Sequence, residues 1–336
     1  MAEEHFSDIG RVEAVARLYE GTPFKPYVPS GFDTTGKGRI CSASRLLLEG
    51  IDFNLVYFPL KHLGYKAVIA VTGELYAALA RPRVLTVRLG LSAKLDFAQA
   101  RELFSGIVAA AREHGYQDID LDLAPSRNGL AISVSATGET RFLTQKSQPR
   151  PQSKDLICLS GNLGGAFFGL QVLERALGRY DAEGAQPQLE KYRMMVGSYL
   201  KPELPAGIVG QLEETEIYPS CGCLVTHGLA DAVKRVARQT GLGAKVYTDK
   251  IPFEGNSFEL GRELDIDPVS AAMNGGEDYR LLFTVPIIKL ERFRHDFQTF
   301  DIVGHLALPE VGTVLVTPDG AELPLRAPGW KEPEDR

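Results

Sequence analysis

Four cysteines and a single tryptophan in 336 residues leave little material for two kinds of architecture. Cys41, Cys158, Cys221 and Cys223 are too few and too scattered for a disulfide framework. Cys221-Gly222-Cys223 has the form of half a zinc or redox site. No second Cys/His pair stands at ligand spacing, so buried or idle thiols are expected instead. Nowhere do about 18 apolar residues run together, the length a membrane-spanning helix needs. Residues 1–8, MAEEHFSD, are acidic and lack the apolar core of a signal peptide, so the expected location is the cytoplasm. Runs of lysine and arginine are missing too, and with a net charge of -6 and a pI near 5.6 a general nucleic-acid binder is excluded. A local basic site is not. No internal repeat or low-complexity tract is visible.

What is present is ordinary globular material, 44% hydrophobic and 24% charged, in a length that suits two domains with a core each. Phe6, Ile9, Val12, Val15 and Leu18 recur at helical spacing before Gly21-Thr22-Pro23. Residues 39–45 read as extended and 61–80 as a mostly buried helix stopped by Pro82. A strand over 83–91, a helix over 96–114 and strands over 117–124 and 129–137 around Asn128-Gly129 complete the first half. The polar stretch 146–154, with Pro149 and Pro151, marks the expected boundary between domains 1–145 and 146–336. Beyond it come a strand (155–160), a glycine-rich turn, a helix (166–178) and helices within 188–215. Leu229, Val233, Val236 and Ala237 then give the core face of a further helix, with a strand over 244–247 and strands near 301 and 313.

Two glycine clusters carry possible chemistry. Gly161 to Gly165 lies between a strand and a helix, where backbone N–H groups can meet a phosphate; tight helix–strand packing explains the same glycines more simply. It is neither a dinucleotide fingerprint nor a Walker A loop. Asn274-Gly275-Gly276-Glu277-Asp278-Tyr279, before the apolar run to Phe283, is either a plain turn into a strand or a place where backbone and two acids approach a ligand. Asp33, Glu74, Asp122, Glu277 and Asp278 all sit at expected element ends, and nothing in their spacing alone brings them together.

A resemblance does. LeuLeuLeuGluGlyIleAspPheAsn (46–54), LysHisLeuGlyTyrLysAlaVal (61–68), AspLeuIleCysLeuSerGlyAsnLeuGly (155–164), HisGlyLeuAlaAsp (227–231) and the Gly-Gly-Glu-Asp-Tyr segment resemble, in order and spacing, the thiamine-monophosphate kinase family. The resemblance implies an α+β, two-domain fold of the aminoimidazole-ribonucleotide synthetase superfamily, whose N-terminal sheet forms the interface of a homodimer. It implies ATP as co-substrate, Mg²⁺ ions, and transfer of the γ-phosphoryl group to thiamine monophosphate. By the same carry-over Asp33, Glu74 and Asp122 are metal-binding, Asp122 also catalytic, Ser44 and Thr226 contact ATP, and Glu277, Asp52 and Trp330 contact the thiamine phosphate. Asp278 is assigned to bracing the turn.

Several positions depart from the family pattern. Phe32 replaces the first acid of the pair that ends in Asp33, and Glu74 is a longer carboxylate than the family's Asp. Arg45 stands where the family has a metal-binding Asp, Leu224 and His227 replace two further acids, and Asp52 occupies the place of a substrate-contacting His. Arg45, Leu224 and His227 together shift the local charge by four units, the charge of two Mg²⁺ ions. Fewer metal ions than the family norm are therefore expected. Arg45 is then either a catalytic guanidinium that clamps a phosphate and pairs with Asp33 or Asp122, or a surface residue beside an acid. His227 is either a base or a helix-start residue, and Trp330 either a stacking ring or a simple anchor. The alternative function is a catalytically impaired member that binds a nucleotide or phosphorylated ligand without turnover. Selenophosphate synthesis, a third activity of the superfamily, would call for a reactive Cys in an N-terminal glycine-rich loop, and none is there.

Overall fold

The structure is a computed structural model that describes residues 11–24, 38–140, 148–184 and 188–330. Asp33 lies outside them. The chain divides into two compact units: Met1–Leu143 with Pro205–Gly207, and Thr144–Leu204 with Ile208–Arg336. Among the described residues no helix is long and apolar enough to cross a membrane.

The first unit is built from α1 (Arg11–Tyr19), β1 (Arg39–Leu48), α2 (Leu60–Ala77), β2 (Arg81–Ser92), α3 (Phe97–Glu113), β3 (Asp118–Ser126) and β4 (Ala131–Thr140). Its sheet has the order β1-β4-β2-β3, antiparallel except for the parallel β2/β3 pair. Strand alternation splits the sheet into two faces. Leu85, Val87, Leu89, Leu121, Leu123, Ile132 and Val134 are buried on the face that α2 packs upon. Ile40 and Leu46 lie on the other face and are more than half exposed. Pro82 sits inside β2 at a register shift against β4, the irregular position a strand proline tolerates, so β2 begins earlier than its proline suggests. Helices α2 and α3 touch through two glycines: a Cβ on Gly64 would lie 2.1 Å from the Leu103 carbonyl, and one on Gly106 would lie 1.9 Å from that of Lys61.

The second unit carries a seven-stranded sheet. In chain order its elements are β5 (Leu156–Ser160), α4 (Gly165–Glu183), α5 (Arg193–Leu200), α6 (Ile208–Glu214), β6 (Cys221–Val225), α7 (Leu229–Thr240) and β7 (Gly243–Tyr247). There follow α8 (Ser257–Leu264), α9 (Pro268–Asn274), β8 (Arg280–Val285), α10 (Leu290–Asp296), β9 (Phe300–Ala307), β10 (Thr313–Val316) and β11 (Glu322–Pro324). The strand order is β11-β10-β7-β9-β5-β8-β6, with only β10/β7 parallel. Helix α7 turns Leu229, Val233 and Val236 into the core that Leu282 and Val303 share from the sheet. Phe168 and Val172 of α4, Met195 of α5, Leu260 of α8 and Ala271 of α9 form a second cluster. Two helices rather than one precede Asn274, because Asp265 takes a left-handed turn at φ 57° and Asp267 caps a new start at Pro268.

Strand β6 was not legible. It holds Cys221 and Cys223, both buried, and burial pushes the Cys221 thiol up to about 11. Neither is paired in a disulfide, and among the described residues no cluster of three or more His, Cys, Asp or Glu side chains could hold a metal. The pair is core packing on a sheet edge.

Candidate functional site

The Asn274-Gly-Gly-Glu-Asp-Tyr segment is a strained connection between α9 and β8. Gly276, Glu277 and Tyr279 all have positive φ, at 80°, 66° and 49°, and two of the three are not glycine. The strain is held by close backbone contacts. A Cβ on Gly276 would lie 2.8 Å from the Thr226 carbonyl, and one on Gly275 would run into Ala271 and Phe167. The Glu277 N–H donates to the same Thr226 carbonyl at 2.7 Å, which presses this loop against the β6–α7 turn.

The two acids then go separate ways. Asp278 is buried, and its carboxylate accepts from the Gly164 N–H at 2.9 Å and the Ala166 N–H at 3.1 Å, closing the glycine turn at the start of α4. Burial pushes its carboxyl up to about 6, against the pull of those two N–H groups. The phosphate reading of Gly161 to Gly165 therefore gives way to packing: the helix start already has an internal anion, and a Cβ on Gly165 would meet Glu254. Arg280 locks the same corner, donating to the Asn162 carbonyl at 3.0 Å.

Glu277 instead faces a cavity of about 450 Å³ in the second unit, lined by Thr226, His227, Asp231, Asn274, the two glycines, Glu277 and Pro328 to Trp330. The size is that of a small-molecule site. Tyr279 donates its hydroxyl to Glu277 at 3.2 Å. Asp231, in the first turn of α7, accepts from the Trp330 indole N–H at 2.9 Å and pairs with Arg235 at 3.1 Å. His227, well exposed, reaches the same carboxylate at 3.8 Å. Of the positions read from sequence, the structure thus brings Thr226, Glu277 and Trp330 together. Asp231 and Asn274 were missed, although Asp231 stands four residues after His227, in the first turn of the helix that follows it. Leu224, at a family acid position, is wholly buried in β6 opposite Leu281.

The first unit corrects the expected pairing of Arg45 with Asp122. Arg45 shares a cross-strand row with Val134, Val87 and Leu121, so it lies on the face that α2 packs upon. Asp122 belongs to the next row, with Arg88, Ser133 and Leu46, on the opposite face and the opposite edge strand. A one-residue offset separates them across the sheet, and within one chain they do not act on the same group. Asp122 accepts from the Leu123 N–H at 2.9 Å, and Ser44 is exposed on its side of the sheet. Glu74 is half-buried on α2, on the Arg45 side. Asp52 accepts from the Leu48 N–H at 2.8 Å, and Glu49 from the Leu130 N–H at 2.6 Å. The Leu-Glu-Gly-Ile-Asp-Phe segment is thus a folded-back turn with both acids engaged by backbone. A Mg²⁺ ion asks for several hard oxygen donors around one point. Among the described residues the expected donors do not fit such a cage.

No protein-family model matches the chain. Curated relatives do. The thiamine-monophosphate kinase of Aquifex aeolicus is 24% identical over 260 residues, covering 76% of this chain and 80% of that one. That of Synechococcus elongatus is 27% identical over 247 residues, covering 71% and 70%. The chain is thus similar, over most of its length, to thiamine-monophosphate kinases. Solved structures agree on the fold. AaThiL complexed with AMPPCP and TMP superposes with a TM-score of 0.69 at 21% identity, covering 85% of each chain. The Stenotrophomonas maltophilia thiamine-monophosphate kinase gives 0.70 at 23%, covering 92% and 95%. Escherichia coli HypE, a hydrogenase maturation protein, gives 0.69 at 14%, covering 94% and 96%. The fold is therefore the α+β architecture that these structures share.

Proposed function

We propose that this chain is a phosphotransferase that moves the γ-phosphoryl group of ATP to thiamine monophosphate. The β,γ P–O bond of ATP breaks, a terminal phosphate oxygen of thiamine monophosphate forms the new P–O bond, and ADP and thiamine diphosphate leave. The observation that carries the reading is the cavity of the second unit, where Glu277 and the Trp330 indole meet around a space of ligand size, in a chain whose relatives bear this activity in their names. A carboxylate beside an aromatic face suits a flat ring carrying positive charge. Thr226 supplies a hydroxyl to the nucleotide side. The Arg45 guanidinium of the first unit is suited to pair with a phosphate and so to do part of a metal ion's work. Magnesium then enters as the counter-ion of the nucleotide.

The protein acts as a cytoplasmic homodimer in this reading. The sheet face of the first unit opposite α2 supports the dimer, since among the described residues it exposes Ile40 and Leu46 along an edge strand. A second reading, binding without turnover, is favoured by Arg45, Leu224 and His227 at acid positions. Incubation of purified protein with γ-labelled ATP, Mg²⁺ and thiamine monophosphate separates the two. Label in thiamine diphosphate supports the kinase; saturable binding of both ligands with no transfer supports the second reading. Tight ATP binding only with Mg²⁺ would count against the role given to Arg45.

A further inference from the structure

An aromatic wall contributed from the far end of the chain has to be held in place. Trp330 follows a turn in which its N–H donates to the Ala327 carbonyl at 3.2 Å, and Leu325 and Ala327 are pinned in the core of the second unit. The side chain itself is fixed from helix α7. The Asp231 carboxylate takes the indole N–H on one oxygen and faces Arg235 with the other. One turn and two turns further along, Lys234 and Arg238 stand over the ring, Arg238 at 3.8 Å from its centroid and Lys234 at 5.6 Å. Neither lines the cavity, so they back the indole while its other side meets the cavity. Helix α7 is a firm base for this: Leu229, Ala230, Ala232 and Val233 are buried beneath it. The histidine at 227 fits the arrangement as well. An aspartate there, as in the family pattern, would set a second carboxylate near that of Asp231, with like charges opposed; His227 sits 3.8 Å away without that penalty.

We propose that Asp231 is a positioning residue: its carboxylate holds the Trp330 indole as the wall of the cavity and thereby sets how tightly the cavity grips an aromatic-ring ligand. The identity of that ligand, thiamine monophosphate, rests on the function proposed above. Because Trp330 is the chain's only tryptophan, its emission reports this ring alone. The full-length protein is compared with Asp231→Ala, Asp231→Asn and Trp330→Phe, each checked for folding by circular dichroism. In Asp231→Ala the emission shifts to the red and acrylamide quenching rises, and KM for thiamine monophosphate climbs about tenfold, the scale of one lost hydrogen bond to a charged group, with a smaller change in kcat. Asp231→Asn, which keeps the acceptor oxygen, restores the emission and most of the KM. Trp330→Phe, which keeps a ring but loses the N–H, raises KM as Asp231→Ala does. Unchanged emission and quenching in Asp231→Ala overturn the proposal, as does a KM that stays put while the ring loosens, or equal damage from Ala and Asn. If the unaltered protein neither binds nor converts thiamine monophosphate, the kinase reading fails, and emission with quenching alone decides whether Asp231 positions the ring.

Discussion

Neighbouring acids in one motif, Glu277 and Asp278, have opposite physical fates, and each can be tested by itself. Asp278 is buried with its carboxyl raised from 3.8 to about 6, so the folded chain holds this proton more tightly than the unfolded chain does. Its contribution to stability is therefore greatest in acid below the unfolded value and declines as pH rises through about 6. Denaturant unfolding followed from pH 4 to 8 should show that decline in the unaltered protein and not in Asp278→Asn. Asp278→Ala leaves two buried N–H groups without their acceptor and should cost about 1–3 kcal/mol at pH 5. An unfolding free energy for Ala equal to that of the unaltered protein would remove Asp278 from this role. Glu277 stores strain at φ 66°, in a conformation glycine adopts freely. Glu277→Gly should leave stability unchanged or raise it by up to about 1 kcal/mol, while binding of thiamine monophosphate weakens at least about tenfold through the lost carboxylate. Calorimetric unfolding and ligand titration on the same preparation check both halves.

At the scale of elements, backbone contact and strand parity decide what spacing in the chain cannot. Helices α2 and α3 meet where Gly64 and Gly106 leave no room for a methyl group. Gly106→Ala should destabilise the protein by about 1–3 kcal/mol as the helices are forced apart, measurable as a lower denaturant midpoint; an unchanged midpoint would mean the contact is loose. On the sheet face opposite α2, replacing Ile40 and Leu46 together by lysine should turn the proposed dimer into monomer in sedimentation velocity. Two dimers of equal stability would move the interface elsewhere. The helices and most strands were legible because their apolar periods are long and clean, as in α3 and in β2 with β4. Strand β6 was not: Cys-Gly-Cys-Leu-Val is short, and the expectation of buried thiols, which holds, said nothing of the strand that carries them. The separation of Arg45 from Asp122 was also invisible, since each sits on a plausible strand and only the register of four strands sends them to opposite faces.

For the molecule as a whole, the resemblance carried further than any local pattern. It anticipated the α+β family fold and pointed to Thr226, Glu277 and Trp330, which come from three distant parts of the chain yet line one cavity. It carried less far in the first unit. There the acids named from the family pattern are split between two sheet faces, held by backbone N–H groups, or, for Asp33, outside the described residues. The physical reason is that a metal site depends on convergence of short side chains, and Arg45 puts a cation where the family pattern has one of the acids. The account stands most directly on steady-state formation of thiamine diphosphate from ATP and thiamine monophosphate, comparing the unaltered protein with Glu277→Ala purified in parallel. It predicts product from the first and a rate lowered at least about tenfold in the second at sub-saturating thiamine monophosphate. Equal rates from both preparations, or no product from either, would contradict it.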